Sequence, residues 1–167
     1  VAGYGTNVAS KPLVISEGGD ITLDRIVITK PAKKLVYTTD DKEIDLTDLE
    51  VTGHYSDGSS RLEAITTANI TGFDNSRLGT QTLTITINGK TASYEVTITK
   101  RVDADKDQPI TIKPDIPVTI TVPVEASGAK IEIDKKNPLP LIAVQATTSV
   151  GKVEMAIPEG TKISKAP

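Results

Sequence analysis

The stretch from Gly79 to Thr99, GTQTLTITINGKTASYEVTIT, constrains the fold most. It is two strict apolar/polar alternations around Asn88-Gly89, and Asn-Gly between alternating segments is the strongest short-range signal for a two-residue hairpin. With Asn88 and Gly89 central in a type I′ turn, Ile87 faces Lys90, Ile85 faces Ala92, Leu83 faces Tyr94 and Gln81 faces Val96. Thr86/Thr91, Thr84/Ser93 and Thr82/Glu95 fall on the opposite face. One face is mostly apolar and the other polar, so a one-residue slip would turn the apolar set to water. The sequence therefore predicts a half-buried antiparallel hairpin with a well-specified register.

Similar patterning recurs along the chain. Ile21–Thr29 is β-rich, Pro31 breaks or bulges it, and Leu35–Tyr37 resumes it. Ile44–Gly53 alternates, and Asp57-Gly58 carries a second hairpin signal. Placing those two residues at the centre pairs Tyr55 with Ser60, Gly53 with Leu62 and Val51 with Ala64, and sets His54 opposite Arg61. Ala64–Ile70 reads as a further weak strand. Gly72–Gly79 reads as a tight corner, with Asp74 accepting the N–H groups of Ser76 and Arg77, and Gly79 at positive φ. About seven short strands at roughly ten-residue spacing, with no helix-period segment, is the pattern of a β-sandwich.

The expected organisation is a leading segment at 1–20 (an edge strand or the tail of a preceding module), a sandwich at 21–100, a linker at 101–109 and a second β module at 110–167. The linker is assigned on the charge of the run from Lys100 to Gln108, KRVDADKDQ. In the second module Val118, Ile120, Val122 and Val124 line one strand face, Ile131/Ile133, Leu139–Ala146 and Val153/Met155/Ile157 continue the pattern, and prolines confine several strands to edges. With about four strands its core is marginal, so it reads either as a small independent module or as the first half of a truncated one. The chain opens at Val1 without Met, and it reads as a piece excised from a larger protein.

Composition narrows function by exclusion. A net charge of −3 with both signs interspersed gives no basic field for nucleic acid or an anionic membrane. The absence of cysteine rules out disulfides and thiolate zinc sites. No apolar run approaches the length of a membrane span. His54 is the only histidine, so nucleophilic triads rest on one residue, placed by the hairpin register on an outer face. The chain is therefore expected to be no enzyme and to hold no catalytic residue. Asp103, Asp105 and Asp107 have the D-x-D-x-D spacing that lets alternate carboxylates converge on calcium, the only cofactor the sequence suggests. Gln108 and Pro114 stand where an EF-hand loop needs Gly and Glu, so the competing reading is a solvated charged stretch. Asp40, Asp41 and Glu43 are a weaker acidic group of the same kind. For a carbohydrate platform the chain offers no Trp; Tyr55 and Tyr94 face inward, leaving Tyr4 and Tyr37 as the exposed tyrosines.

Residues 26–99 resemble the bacterial immunoglobulin-like domains of the third Big group. The matching elements are Ile26-Val-Ile-Thr-Lys-Pro31, the run from Asp48 through Leu-Glu-Val-Thr-Gly-His-Tyr-Ser-Asp to Gly58, Gly72-Phe-Asp74, and the segment from Gly79 with Asn88-Gly-Lys90. Residues 118–167 look like β segments of surface-layer-associated proteins, through Val118–Pro123 and Gly151–Gly160. The resemblance implies an all-β, immunoglobulin-like antiparallel β-sandwich followed by a small β module. It also implies an extracellular, cell-surface location and a spacer or adhesion role, with no catalytic residue to carry over. The implied partners are neighbouring modules of the same polypeptide, and cell-wall or other polysaccharide or a host protein for a binding module. A Lys–Asn isopeptide clasp, known in some Ig-like surface domains, requires an inward lysine, and none stands clearly at an inward apolar position.

Overall fold

The computed structural model describes residues 19–113, 115–126, 129–133, 139–148 and 150–161. The leading segment up to residue 18, with Tyr4, lies outside them. The first part of the chain forms β1 (Leu23–Lys30), β2 (Val36–Thr38), β3 (Glu50–Tyr55), β4 (Ser60–Glu63), β5 (Ile70–Thr71), β6 (Gly79–Ile87) and β7 (Lys90–Asp103). One sheet is β1-β3-β4, antiparallel throughout. Facing it, β5, β6 and β7 pair antiparallel while β2 runs parallel to β7. Alternate residues point to opposite faces of a strand. Leu23, Ile26, Val51 and Tyr55 from the first sheet therefore meet Leu83, Ile85, Val96 and Ile98 from the second in one buried core. Two packed sheets around one core make this an Ig-like β-sandwich.

The Asn88-Gly89 hairpin forms pair for pair as the alternation predicts, from Ile87↔Lys90 to Gln81↔Val96. Asn88 and Gly89 take φ of 46° and 77°, the left-handed geometry a type I′ turn needs. The corner also forms: Asp74 Oδ1 accepts from Ser76 N at 2.9 Å, Arg77 N donates to the Asp74 carbonyl instead, and Gly79 has φ 105°.

The second hairpin is offset by one residue from the expected register, with His54↔Ser60, Gly53↔Arg61, Thr52↔Leu62 and Val51↔Glu63. Gly58 N donates to the Tyr55 carbonyl and Tyr55 N to the Ser59 carbonyl, both at 2.9 Å, so the loop holds three residues. Gly58 at φ 83° supplies the left-handed position that closes such a loop. Asp57 Oδ1 fixes it by accepting from Ser59 N at 2.9 Å. The offset turns Leu62 outward, 65% exposed, and brings Arg61 and Glu63 to the face of Tyr55.

Two other expected strands shrink. Ile44–Leu49 is irregular, with Asp48 at φ 67°, although Ile44 and Leu46 still pack on the core. In the Ala64–Ile70 stretch, Thr67–Asn69 forms a single 3-10 turn, with Asn69 Oδ1 accepting from Thr66 N at 2.8 Å, and β5 begins only at Ile70.

The second part comprises β8 (Ile110–Ile112), β9 (Val118–Val122), β10 (Ile131–Ile133), β11 (Ile142–Thr148) and β12 (Gly151–Ile157). β8 pairs parallel with β10, β9 parallel with β11, and β11 antiparallel with β12. Its own core gathers Ile110, Ile112, Val118, Ile120, Leu139 and Ile142. Val124, expected on the inner face of a strand, sits exposed in a 3-10 turn after Pro123. The parallel ladders are a finding the apolar alternation does not contain, because it is the same for either strand direction.

The stretch 101–109 opens inside a strand. β7 runs unbroken for 14 residues, and its last four, Lys100–Asp103, pair parallel with β9. The two parts thereby share one sheet, ordered β12-β11-β9-β7-β6-β5. Among the described residues, no helix is long and apolar enough to cross a membrane.

Candidate functional site

The junction where β7 passes from one part to the other joins main-chain ladders, a buried threonine pair and surface ion pairs. Amides of successive strand residues point to opposite edges. Thr97 N donates to the Leu35 carbonyl and Thr39 N to the Thr99 carbonyl, so the odd-numbered residues face β2. Lys100 N donates to the Pro117 carbonyl and Ala104 N to the Thr121 carbonyl, both on the other edge. That edge belongs to β6 as far as Gly79↔Ile98, and β9 takes it over from Lys100. A charged segment stays a strand here because its backbone groups have partners on successive neighbours.

The buried seam carries two threonines. Thr99 Oγ1 donates to the Tyr37 carbonyl at 2.8 Å and lies 2.6 Å from Thr119 Oγ1, so β2, β7 and β9 are tied at one point. Arg101, outside, bonds Asp103 at 3.0 Å and Asp40 at 3.5 Å, which links the β2–β3 loop to the junction.

Beside the seam, a groove of ≈ 630 Å³ separates the segment before β3 from the outer face of β11 and β12. Lys33, Lys34, Asp45 and Thr47 form one wall, Gln145 and Glu154 the other. The first wall is held by Lys33 N donating to the Thr47 carbonyl at 2.9 Å and by Asp45 Oδ1 accepting from Thr47 N at 2.8 Å. Hydrogen bonds from Thr47 hold the Asp45 carboxyl below its ordinary range. Lys34 is committed to Asp41 at 2.6 Å and sits 4.7 Å above the Tyr37 ring, which leaves Lys33 as the cation facing the groove. For Asp41, partial burial raises the carboxyl, but bonds from Lys34 and Thr38 outweigh it and the net direction is down. The groove offers amide, hydroxyl and charged groups suited to a polar ligand.

Two further side-chain clusters lie on opposite faces of the β1-β3-β4 sheet. His54 Nδ1 lies 2.8 Å from Ser60 Oγ, a pairing that the offset hairpin register creates. Both stand on the exposed face of a sheet, and among the described residues no carboxylate hydrogen-bonds the imidazole to complete a triad. On the opposite face, the Tyr55 hydroxyl bonds Glu63 Oε1, and the Arg61 guanidinium stacks 3.9 Å from the Tyr55 ring. The sequence reading missed this trio because the two-residue loop assigned Arg61 and Glu63 to the other face.

Asp103 ends β7 with its carboxylate on Arg101, and Asp105 Oδ1 accepts from Asp107 N at 2.9 Å in the turn that follows. Asp40 and Asp41 are paired with Arg101 and Lys34 respectively. Among the described residues, no three His, Cys, Asp or Glu side chains gather as a metal-holding group. Tyr37, expected on the surface, is wholly buried: its ring meets Phe73 edge-on at 5.2 Å, and its hydroxyl accepts from Asp45 N at 3.0 Å.

No curated protein sequence matches the chain. A solved structure titled "Solution structure of a putative surface protein" is 25% identical, covering 50% of this chain and 93% of that one, with a TM-score of 0.30. The span from the end of β1 to the end of the β6–β7 ladder, residues 29–98, matches the family model of the bacterial Ig-like domain (group 3).

Proposed function

We propose that the chain is a non-catalytic spacer of an exported, cell-surface-associated bacterial protein, holding its two β modules at a fixed angle. The observation that carries this reading is β7, one strand of 14 residues that belongs to the sandwich and to the following sheet. A flexible linker lets modules reorient, whereas a strand paired on both sides of the boundary, with Thr99 and Thr119 joined beneath it, resists bending. The match of residues 29–98 to a bacterial Ig-like domain supports the extracellular setting. The chain has no cysteine, so spin labels go cleanly on Ser59→Cys in the first module and Lys152→Cys in the second. A rigid spacer gives one narrow label-to-label distance distribution; a broad one spanning tens of ångströms defeats the reading.

A second reading, an accessory module for polysaccharide or a host receptor, is favoured by the polar groove beside the junction. A glycan array followed by Lys33→Ala and Gln145→Ala tests it. Saturable binding that both substitutions weaken supports a ligand site, and no binding to any glycan removes the polysaccharide form of the reading.

A further inference from the structure

β12 is the outer edge of the shared sheet, and among the described residues no strand pairs with its open side. Every residue from Gly151 to Ala156 is exposed. Val153 is 49% and Met155 61% exposed, on the same face as the buried Ile120 and Ile142. The ladder to β11 has no bulge over Gly151–Ile157, and no proline interrupts the strand. Such an edge is a template for another strand.

Its hydrogen-bonding parity follows from the neighbouring ladder. Val118 N donates to the Leu141 carbonyl, so Ile142, Val144 and Ala146 turn their amides away from β9 and towards β12. Their partners Ile157, Met155 and Val153 answer them, which leaves the amides of Lys152, Glu154 and Ala156 at the open edge.

We infer that β12 pairs antiparallel with β12 of a second copy, about a two-fold axis through Val153. Charge selects both the occupant and the register. An axis through Glu154 sets that carboxylate against itself, and one through Met155 leaves Lys152 and Glu154 with no opposite charge. An axis through Val153 places Lys152 against Glu154 of the second copy, twice by symmetry. The outward amides of those same residues then bond across the axis, and the two Val153 side chains cover each other. Opposite charges directly across a ladder stabilise it and like charges destabilise it. A seven-residue edge is smaller than the roughly 800 Å² per partner of a stable interface, so the association is weak and concentration-dependent. It does not depend on the spacer reading.

Sedimentation velocity of the full chain, from about 10 µM to on the order of 1 mM, tests the inference. The native protein shows a rising sedimentation coefficient. Lys152→Glu and Glu154→Lys, each alone, self-associate about tenfold more weakly or not at all, because like charges then oppose each other twice. Their equimolar mixture re-associates, since a copy with two acids faces a copy with two lysines. Circular dichroism confirms that both variants keep the native β signal. A native protein that stays monomeric throughout, or a mixture no stronger than its components, overturns the inference.

Discussion

At the residue scale, most of the stability at risk sits where a side chain is buried with a polar group or a missing methyl. Tyr94 is one case. Its hydroxyl is buried without a hydrogen-bond partner among the described residues, and burial, with Tyr37 nearby, pushes its pKa up to about 12. Below pH 10 the phenol is neutral in folded and unfolded chains alike. Between 10 and about 12 the unfolded chain ionises first, so stability falls as pH rises through that window. Tyr94→Phe is expected to raise stability at pH 7 by about 1 kcal/mol, since an unpaired buried hydroxyl is removed. It should also flatten the alkaline loss, and urea unfolding at pH 7 and pH 11 checks both. Gly53 is the opposite case. A Cβ there would collide with Glu63 Oε1 and come within 2.8 Å of Leu23 Cδ1, so Gly53→Ala is expected to cost about 1–3 kcal/mol. Combining it with Glu63→Ala should recover part of that cost, because the carboxylate is the nearer obstacle and Leu23 remains. The inward place of Tyr94 was legible in the alternation; the Gly53–Glu63 clash was not, because Gly53 looked like an ordinary inward position and Glu63 an outward one.

At the scale of elements, legibility tracked how far each turn alone decides the register. Asn88-Gly89 admits one short loop, and every pair of β6 and β7 followed from it. Asp57-Gly58 admits two, and the choice of the three-residue loop rests on the Asp57 side chain holding Ser59, a contact that spacing does not announce. The seam between β2, β7 and β9 was less legible still, since Tyr37, Thr99 and Thr119 meet from distant positions and both threonines read as ordinary polar residues. Their hydroxyls act as a unit. Thr99→Val removes the hydroxyl that bonds the Tyr37 carbonyl and Thr119 Oγ1, and is expected to cost about 1–3 kcal/mol. Thr119→Val alone should cost less, because Thr99 keeps the Tyr37 carbonyl. The double variant should then cost less than the sum of the two, by roughly 0.5–1 kcal/mol, the coupling that a double-mutant cycle in urea measures.

At the scale of the whole molecule, the boundary between modules is a stretch of ladder, and charge content concealed it. Lys100, Arg101 and Asp103 face solvent, while Val102 packs against the second core and the backbone of all four pairs with β9. The proposed rigidity of the joint depends on a small number of main-chain bonds, and one substitution addresses them directly. Lys100→Pro removes the N–H that donates to the Pro117 carbonyl at 2.9 Å and places a ring against β9. Thr99, the preceding residue, is already extended, so the restriction proline puts on its neighbour costs the sandwich little. The sandwich core, from Leu23 to Ile98, does not include the changed residue. The expected result is therefore a protein whose first module keeps its amide protection against hydrogen exchange while β9 and the Lys100–Asp103 end of β7 lose theirs. The Ser59-to-Lys152 label distance should broaden at the same time. If β9 and the end of β7 keep their protection and the label distance stays narrow, this ladder does not hold the joint, and the proposed fixed angle must come from the groove walls instead.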